Sequence, residues 1–152
     1  MEQKIMQFTT YRGTVPMGEQ IKIHLSTNDG LTGYRISKFM IMSTAPGGAQ
    51  HAEVVAKVFL TDQSSSIDPL VDFSDTDLLA AVYYQDDNTQ ANVSSVDIIL
   101  DKETFNQDIF ITMQDADGKT QPFNYYLELE KFPIDLNTST YHTLKNIRSR
   151  TQ

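Results

Sequence analysis

An antiparallel all-β sandwich with a short C-terminal α-helix is the fold the sequence predicts, on three observations. Short runs of β-branched and aromatic residues recur between turn residues at regular spacing, the mark of a sandwich or barrel. Two of these runs alternate strictly between apolar and polar positions, as half-buried strands do. After Pro133 the period changes: Tyr141, Leu144 and Ile147 recur every three residues, as on a helix face. At 152 residues, 39% hydrophobic and 21% charged, the chain is long and apolar enough for one two-layer core. Residues 1–133 are therefore expected to form the sandwich and residues 134–152 a helical basic tail.

The elements follow in order. Lys4 to Tyr11 reads as a first strand stopped by Arg12-Gly13 and Pro16. Gln20 to Leu25 puts Ile21, Ile23 and Leu25 on one face and Lys22 and His24 on the other, before a turn at Asn28-Asp29-Gly30. Tyr34 to Met42 starts alternating and ends continuously apolar, which predicts a central strand covered on both faces. Val54 to Leu60 is the next strand. The Ser/Asp-rich stretch Thr61 to Asp77 is expected to cross between sheets. Leu78 to Gln85 is ambiguous between a helical turn capped by Asp75 or Asp77 and a strand led by Val82-Tyr83-Tyr84. Val93 to Leu100, Asp108 to Met113 and Phe123 to Lys131 complete the set. The last two flank Asp115-Ala-Asp117-Gly118, a loop signal that predicts a hairpin. In the tail, Asn137, Thr138, Ser139 and Thr140 are N-cap candidates, and Lys145, Arg148 and Arg150 complement the dipole of the last turns.

Composition narrows the functions. With no cysteine, the chain has no disulfide, thiolate nucleophile or Cys-based zinc site. Its apolar runs are far shorter than the roughly 20 residues that span a bilayer, so no membrane partner is expected. No basic and apolar signal segment precedes the first strand, and the expectation is synthesis in a cytoplasm. Net charge is −8 but uneven: −10 up to Pro133, and +2 beyond it, where Asp135 faces Lys145, Arg148 and Arg150. The acidic body should repel nucleic acid; only the basic tail could touch it.

Several constellations invite chemistry. Glu128 and Glu130 share a strand face and could act as an acid/base pair, yet Leu127 and Leu129 on the other face already explain the alternation. Asp75 and Asp77 read as turn or helix caps. The run from Asp115 begins like a calcium loop, but Lys119, Thr120 and Tyr126 occupy the fifth, sixth and twelfth positions, where an EF-hand needs an oxygen ligand, Gly and Glu. His24, His51 and His142 are scattered, and Gly47-Gly48 lacks the strand-to-helix setting of a phosphate site. No catalytic, metal or cofactor site is therefore expected. The tyrosine pairs are more informative. Tyr83-Tyr84 and Tyr125-Tyr126 should each send one ring inward and one outward, and outward tyrosines suit protein interfaces or sugar stacking. With Tyr141, Lys145, Arg148 and Arg150 they form the candidate interface, the tail docking on the acidic body of a neighbouring copy.

Four segments carry a family resemblance. Tyr34-Arg-Ile-Ser-Lys-Phe-Met-Ile-Met, Gln107-Asp-Ile-Phe-Ile, Asn124-Tyr-Tyr-Leu-Glu-Leu-Glu and Leu144-Lys-Asn-Ile-Arg-Ser-Arg resemble, in that order, small β-rich virion proteins of marine viruses and phages. The resemblance spans about half the chain and departs from the pattern at Asp72-Phe-Ser-Asp-Thr-Asp-Leu-Leu. It implies a jelly-roll-like sandwich present in many copies in a virion, as a minor capsid or decoration subunit. Its partners would be other copies of itself and other virion proteins. A glycan-binding or adhesin-type sandwich using the exposed tyrosines is the alternative. Enzymatic activity is not expected.

Overall fold

The computed structural model describes residues 7–27, 30–46, 51–86, 93–100, 103–138, 140, 141, 143 and 144. Nine strands are described: β1 (Gln7–Val15), β2 (Glu19–Ile23), β3 (Thr32–Ser43), β4 (Ala52–Phe59), β5 (Leu78–Asp86), β6 (Val93–Ile99), β7 (Thr104–Phe105), β8 (Ile109–Asp115) and β9 (Phe123–Pro133). They build two antiparallel sheets, of order β1-β9-β3-β7 and β2-β8-β4-β5-β6. The predicted sandwich is what forms. Its pairing is nested: β1 pairs with β9, β2 with β8, β3 with β7 and β4 with β5. That is a long hairpin rolled up so that its successive rungs alternate between layers, the jelly-roll arrangement. β6 adds an edge strand beside β5.

The core lies between the sheets and is built by alternation. In β9, Phe123, Tyr125, Leu127 and Leu129 are buried while Asn124 and Tyr126 are exposed. Facing them from the other sheet are Val54, Ala56 and Val58 of β4, Val82 and Tyr84 of β5, and Ile109, Ile111 and Met113 of β8. The rings of Tyr84 and Phe123 meet edge to face, with centroids 4.9 Å apart. β-branched side chains suit such a layer because each strand presents them on one pleated face.

The first strand does not stop at Arg12-Gly13. It runs on to Val15, because Gly13 is needed for packing rather than for a turn. Gly13 pairs with Tyr125 across β1 and β9, and a Cβ there would sit 3.0 Å from the Tyr125 ring. A similar close approach occurs at Gly33, where a Cβ would lie 2.7 Å from Ile134 and 2.8 Å from Phe132. The Tyr125 ring is buried and cannot swing away. Gly13→Val is therefore expected to cost about 1–3 kcal/mol through overpacking, visible as a lower urea midpoint; an unchanged midpoint would show that the β1 edge yields.

Three other expectations are corrected, and one open alternative is settled. Asp115-Ala-Asp117-Gly118 is no hairpin, since β8 and β9 belong to different sheets and the residues between them arch from one layer to the other. Turn chemistry is nonetheless present: the Asp117 amide donates to Asp115 Oδ1 (2.7 Å), and Gly118 has φ of 76°. Residues 61–77 join β4 to β5, neighbours in one sheet, and so do not cross between sheets. Leu78–Asp86 is strand throughout, its core face filled by Ala80, Val82 and Tyr84. Finally, β3 is not covered on both faces: Met40 and Met42 are 54% and 58% exposed on its outer side.

The tail is helical at residues 136–138, 140, 141, 143 and 144, starting earlier than predicted. Asp135 is the cap, its Oδ1 accepting from the Thr138 amide at 2.7 Å, rather than any of residues 137–140. The Ile134 amide donates to Leu31 O (2.9 Å) and Asn106 Nδ2 to Thr143 Oγ1 (3.4 Å), which ties the helix to the end of the sandwich. No helix among the described residues is long and apolar enough to cross a membrane.

Candidate functional site

The tyrosine pairs split inward and outward as expected. Tyr84 and Tyr125 are core residues, whereas Tyr83 is 37% and Tyr126 36% exposed. Tyr83 stands on the outer face of the five-stranded sheet and Tyr126 on that of the four-stranded sheet, so the fold does not bring the four rings together. Tyr126 lies across from Met40 on β3 and Arg12 on β1. With Met42 it makes a small thioether and aromatic surface, the kind that adapts to a partner. Tyr83 lies across from Val96 of β6, and Ile98 sits one pair further along. These two are 66% and 40% exposed. Asp97 of β6 pairs with the core residue Val82 and so points its charge toward the inner side of the edge, which guards that edge against unwanted strand pairing.

At the C-terminal helix, Leu136, Tyr141 and Leu144 are 70%, 62% and 52% exposed. The helix is tethered to the sandwich, yet more than half of each of these large side chains stays exposed. Lys145, Arg148 and Arg150 lie outside the described residues, as does His142.

Sequence patterns missed the surface built by residues 61–77. Val55, Lys57 and Phe59 alternate with core residues on β4 and belong to the outer face of the five-stranded sheet, but all three are buried. The segment 61–77 lies against Lys57 and Phe59. The Lys57 ammonium donates to Leu70 O at 2.6 Å and to Asp68 Oδ1 at 3.1 Å, and it faces the Phe59 ring at 5.3 Å from the centroid. Gln20 of β2 pins the other end, donating to Asp62 Oδ1 (3.0 Å) and accepting from the Gln63 amide (2.6 Å). Four aspartates then set the backbone by accepting amides two residues on: Asp62 from Ser64, Asp68 from Leu70, Asp72 from Ser74 and Asp75 from Asp77, each at 2.8–2.9 Å. Asx turns of this kind hold a loop in shape without a helix or strand. The Ser74 hydroxyl and amide also hold the Asp72 carboxyl below the usual aspartate range.

The result is a ledge. Leu70, Val71 and Phe73 stand out from it at 71%, 42% and 58% exposure, between Asp68, Asp72 and Asp75. Beneath lies an open cleft of about 320 Å³ with Lys57 on its wall. The repeated Asp-x-Ser/Leu/Asp spacing is the sequence signal for these turns.

Potential catalytic groups are tied up in cross-strand pairs. Glu130 accepts from Arg35 Nη2 (2.5 Å) and Nε (3.1 Å), and Glu128 accepts from the Ser37 hydroxyl (2.9 Å). His24 lies 3.3 Å from Asp108 and His51 3.1 Å from Glu53, on separate parts of the fold. Among the described residues no three His, Asp or Glu side chains are grouped to hold a metal ion. No protein-family model matches the chain, and no curated protein matches it significantly.

Proposed function

We propose that the chain is a virion structural subunit, of the minor capsid or decoration type, that acts through contacts with its own copies and with other virion proteins. The observation that carries this reading is the C-terminal helix with its large apolar side chains exposed at 52–70%. Exposed single apolar residues are common, but three on one short helix, beside two further apolar surfaces on the sheet faces, support burial against partners. A jelly roll alone does not decide the matter, because capsid and lectin domains share it. The resemblance to small virion proteins supports the assembly reading, with assembly in a host cytoplasm and a place in the particle. The glycan-binding alternative has one exposed tyrosine per sheet face to offer, Tyr83 or Tyr126, rather than a joint platform of the four rings. Deleting Tyr141 to Gln152 is the test. The full chain should sediment as an oligomer and the deletion as a monomer with an unchanged β-sheet spectrum; equal masses would overturn the reading.

A further inference from the structure

We infer that the ledge formed by residues 70–75 on one copy receives the C-terminal helix and basic tail of a second copy, which rests on the assembly reading above. The two surfaces match in both polarity and charge. The helix offers Leu136, Tyr141 and Leu144 and runs into Lys145, Arg148 and Arg150. The ledge offers Leu70, Val71 and Phe73 between aspartates, and residues 61–77 contain five Asp and no Lys or Arg. Asp68 is already paired with Lys57, whereas Asp72 and Asp75 form no ion pair among the described residues. Their turn-forming oxygens are occupied by amides, which leaves the carboxylate charge facing outward.

The ledge is also built in advance. Its Asx turns, the Lys57 anchor and the Gln20 anchor fix the backbone, so docking orders few additional residues and retains more of the contact energy. Within one chain neither surface covers the other, since both sets of apolar residues remain exposed. The other apolar surfaces are poorer receptors for this tail. The Met40, Met42 and Tyr126 face carries Arg12 beside it, a like charge, and on β6 the acid Asp97 points to the side opposite Val96 and Ile98.

A helix on one copy meeting a loop on the next is a head-to-tail contact, which closes into rings or shells when the rotation allows. Two half-defective chains test it. Asp72→Asn with Asp75→Asn keeps an oxygen for each turn but removes both charges, and should weaken self-association roughly tenfold and flatten its salt dependence. Adding Leu70→Ser and Phe73→Ser should abolish self-association. That ledge variant still has its tail, and the Tyr141–Gln152 deletion still has its ledge, so an equimolar mixture should form a one-to-one complex although neither assembles alone. Sedimentation velocity reads the result. If the ledge variant assembles like the full chain while the deletion does not, the ledge is the wrong receptor and the assembly reading stands. If the mixture gives no complex, the head-to-tail contact is overturned. If the deletion itself assembles normally, the assembly reading falls first.

Discussion

Phe123→Ala is expected to cost about 4 kcal/mol, close to half the stability of an ordinary domain. Phe123 opens β9, is 1% exposed and pairs with Val15 of β1 on one side and Ser43 of β3 on the other. Its ring packs edge to face on Tyr84, at an interplanar angle of 80°, and Tyr84 belongs to the opposite sheet. This contact is one place where the two layers are joined by an aromatic pair, so truncation loses both buried area and the ring interaction. The cavity cannot collapse easily, because strands on both sides hold the backbone of β9 in register. Urea unfolding followed by circular dichroism should show the midpoint falling with the slope unchanged. A loss under about 1 kcal/mol would mean that the sheets close over the gap.

Asp108→Ala should cost about 3 kcal/mol, for a different reason. Asp108 precedes β8 and is buried, and its Oδ1 accepts the amides of Leu25 (2.7 Å) and Ser26 (2.8 Å) just past β2. Its Oδ2 lies 3.3 Å from the ammonium of Lys22 and 3.3 Å from His24. Alanine would leave the Leu25 and Ser26 amides without their acceptor, and buried donors left so cost about 1–3 kcal/mol each. The same contacts make stability pH-dependent. Burial pushes the carboxyl up, but the Ser26 and Leu25 amides and the Lys22 ammonium outweigh it and bring it to about 2, from 3.8. A lowered folded-state value stabilises the fold above the unfolded value, and the gain disappears as pH falls through the folded one. The carboxylate should therefore contribute about 2 kcal/mol at pH 5 and above, lost between roughly pH 4 and 2. Asp108→Asn should differ from the parent most at neutral pH, with the gap closing toward pH 2. A gap that stays constant with pH would show that the charge is irrelevant.

Much of this fold could be seen in local pattern. Strand β2 and the residues after it declared their inner face through Ile21, Ile23 and Leu25, and β9 through Tyr125, Leu127 and Leu129, and β9 ends at Pro133, where the period changes. Alternation reports which way a side chain points, however, and not which sheet a strand joins. The β8–β9 arch therefore looked like a hairpin, since its turn residues are those of one. Gly13 looked like a stop because its partner, the Tyr125 ring, is more than a hundred residues away in sequence. The two-residue strand β7 is too short to carry a periodic signal.

The candidate surfaces were legible to different degrees. Each tyrosine pair sends one ring outward, Tyr83 and Tyr126, and one inward, Tyr84 and Tyr125, as adjacent strand positions imply, whereas the spacing of Tyr141 does not say what covers its helix face. The ledge escaped because it depends on Lys57 reaching over to Leu70 and Asp68, a contact between a strand and a loop that no period encodes. Met40 and Met42 escaped because an apolar run gives no sign of which face lacks a covering layer. Asp135 caps the helix although the Asn-Thr-Ser-Thr run that follows it has the richer cap composition; Asn137, Thr138 and Thr140 of that run lie within the helix.

The central claim is that another copy covers the C-terminal helix. The absence of cysteine allows a direct measurement: Leu144→Cys introduces a single thiol on the exposed side of that helix. Its rate of labelling by a small thiol reagent, followed across protein concentration, should fall as the chains associate and recover on dilution. A rate that stays the same from dilute to concentrated solution would contradict the account.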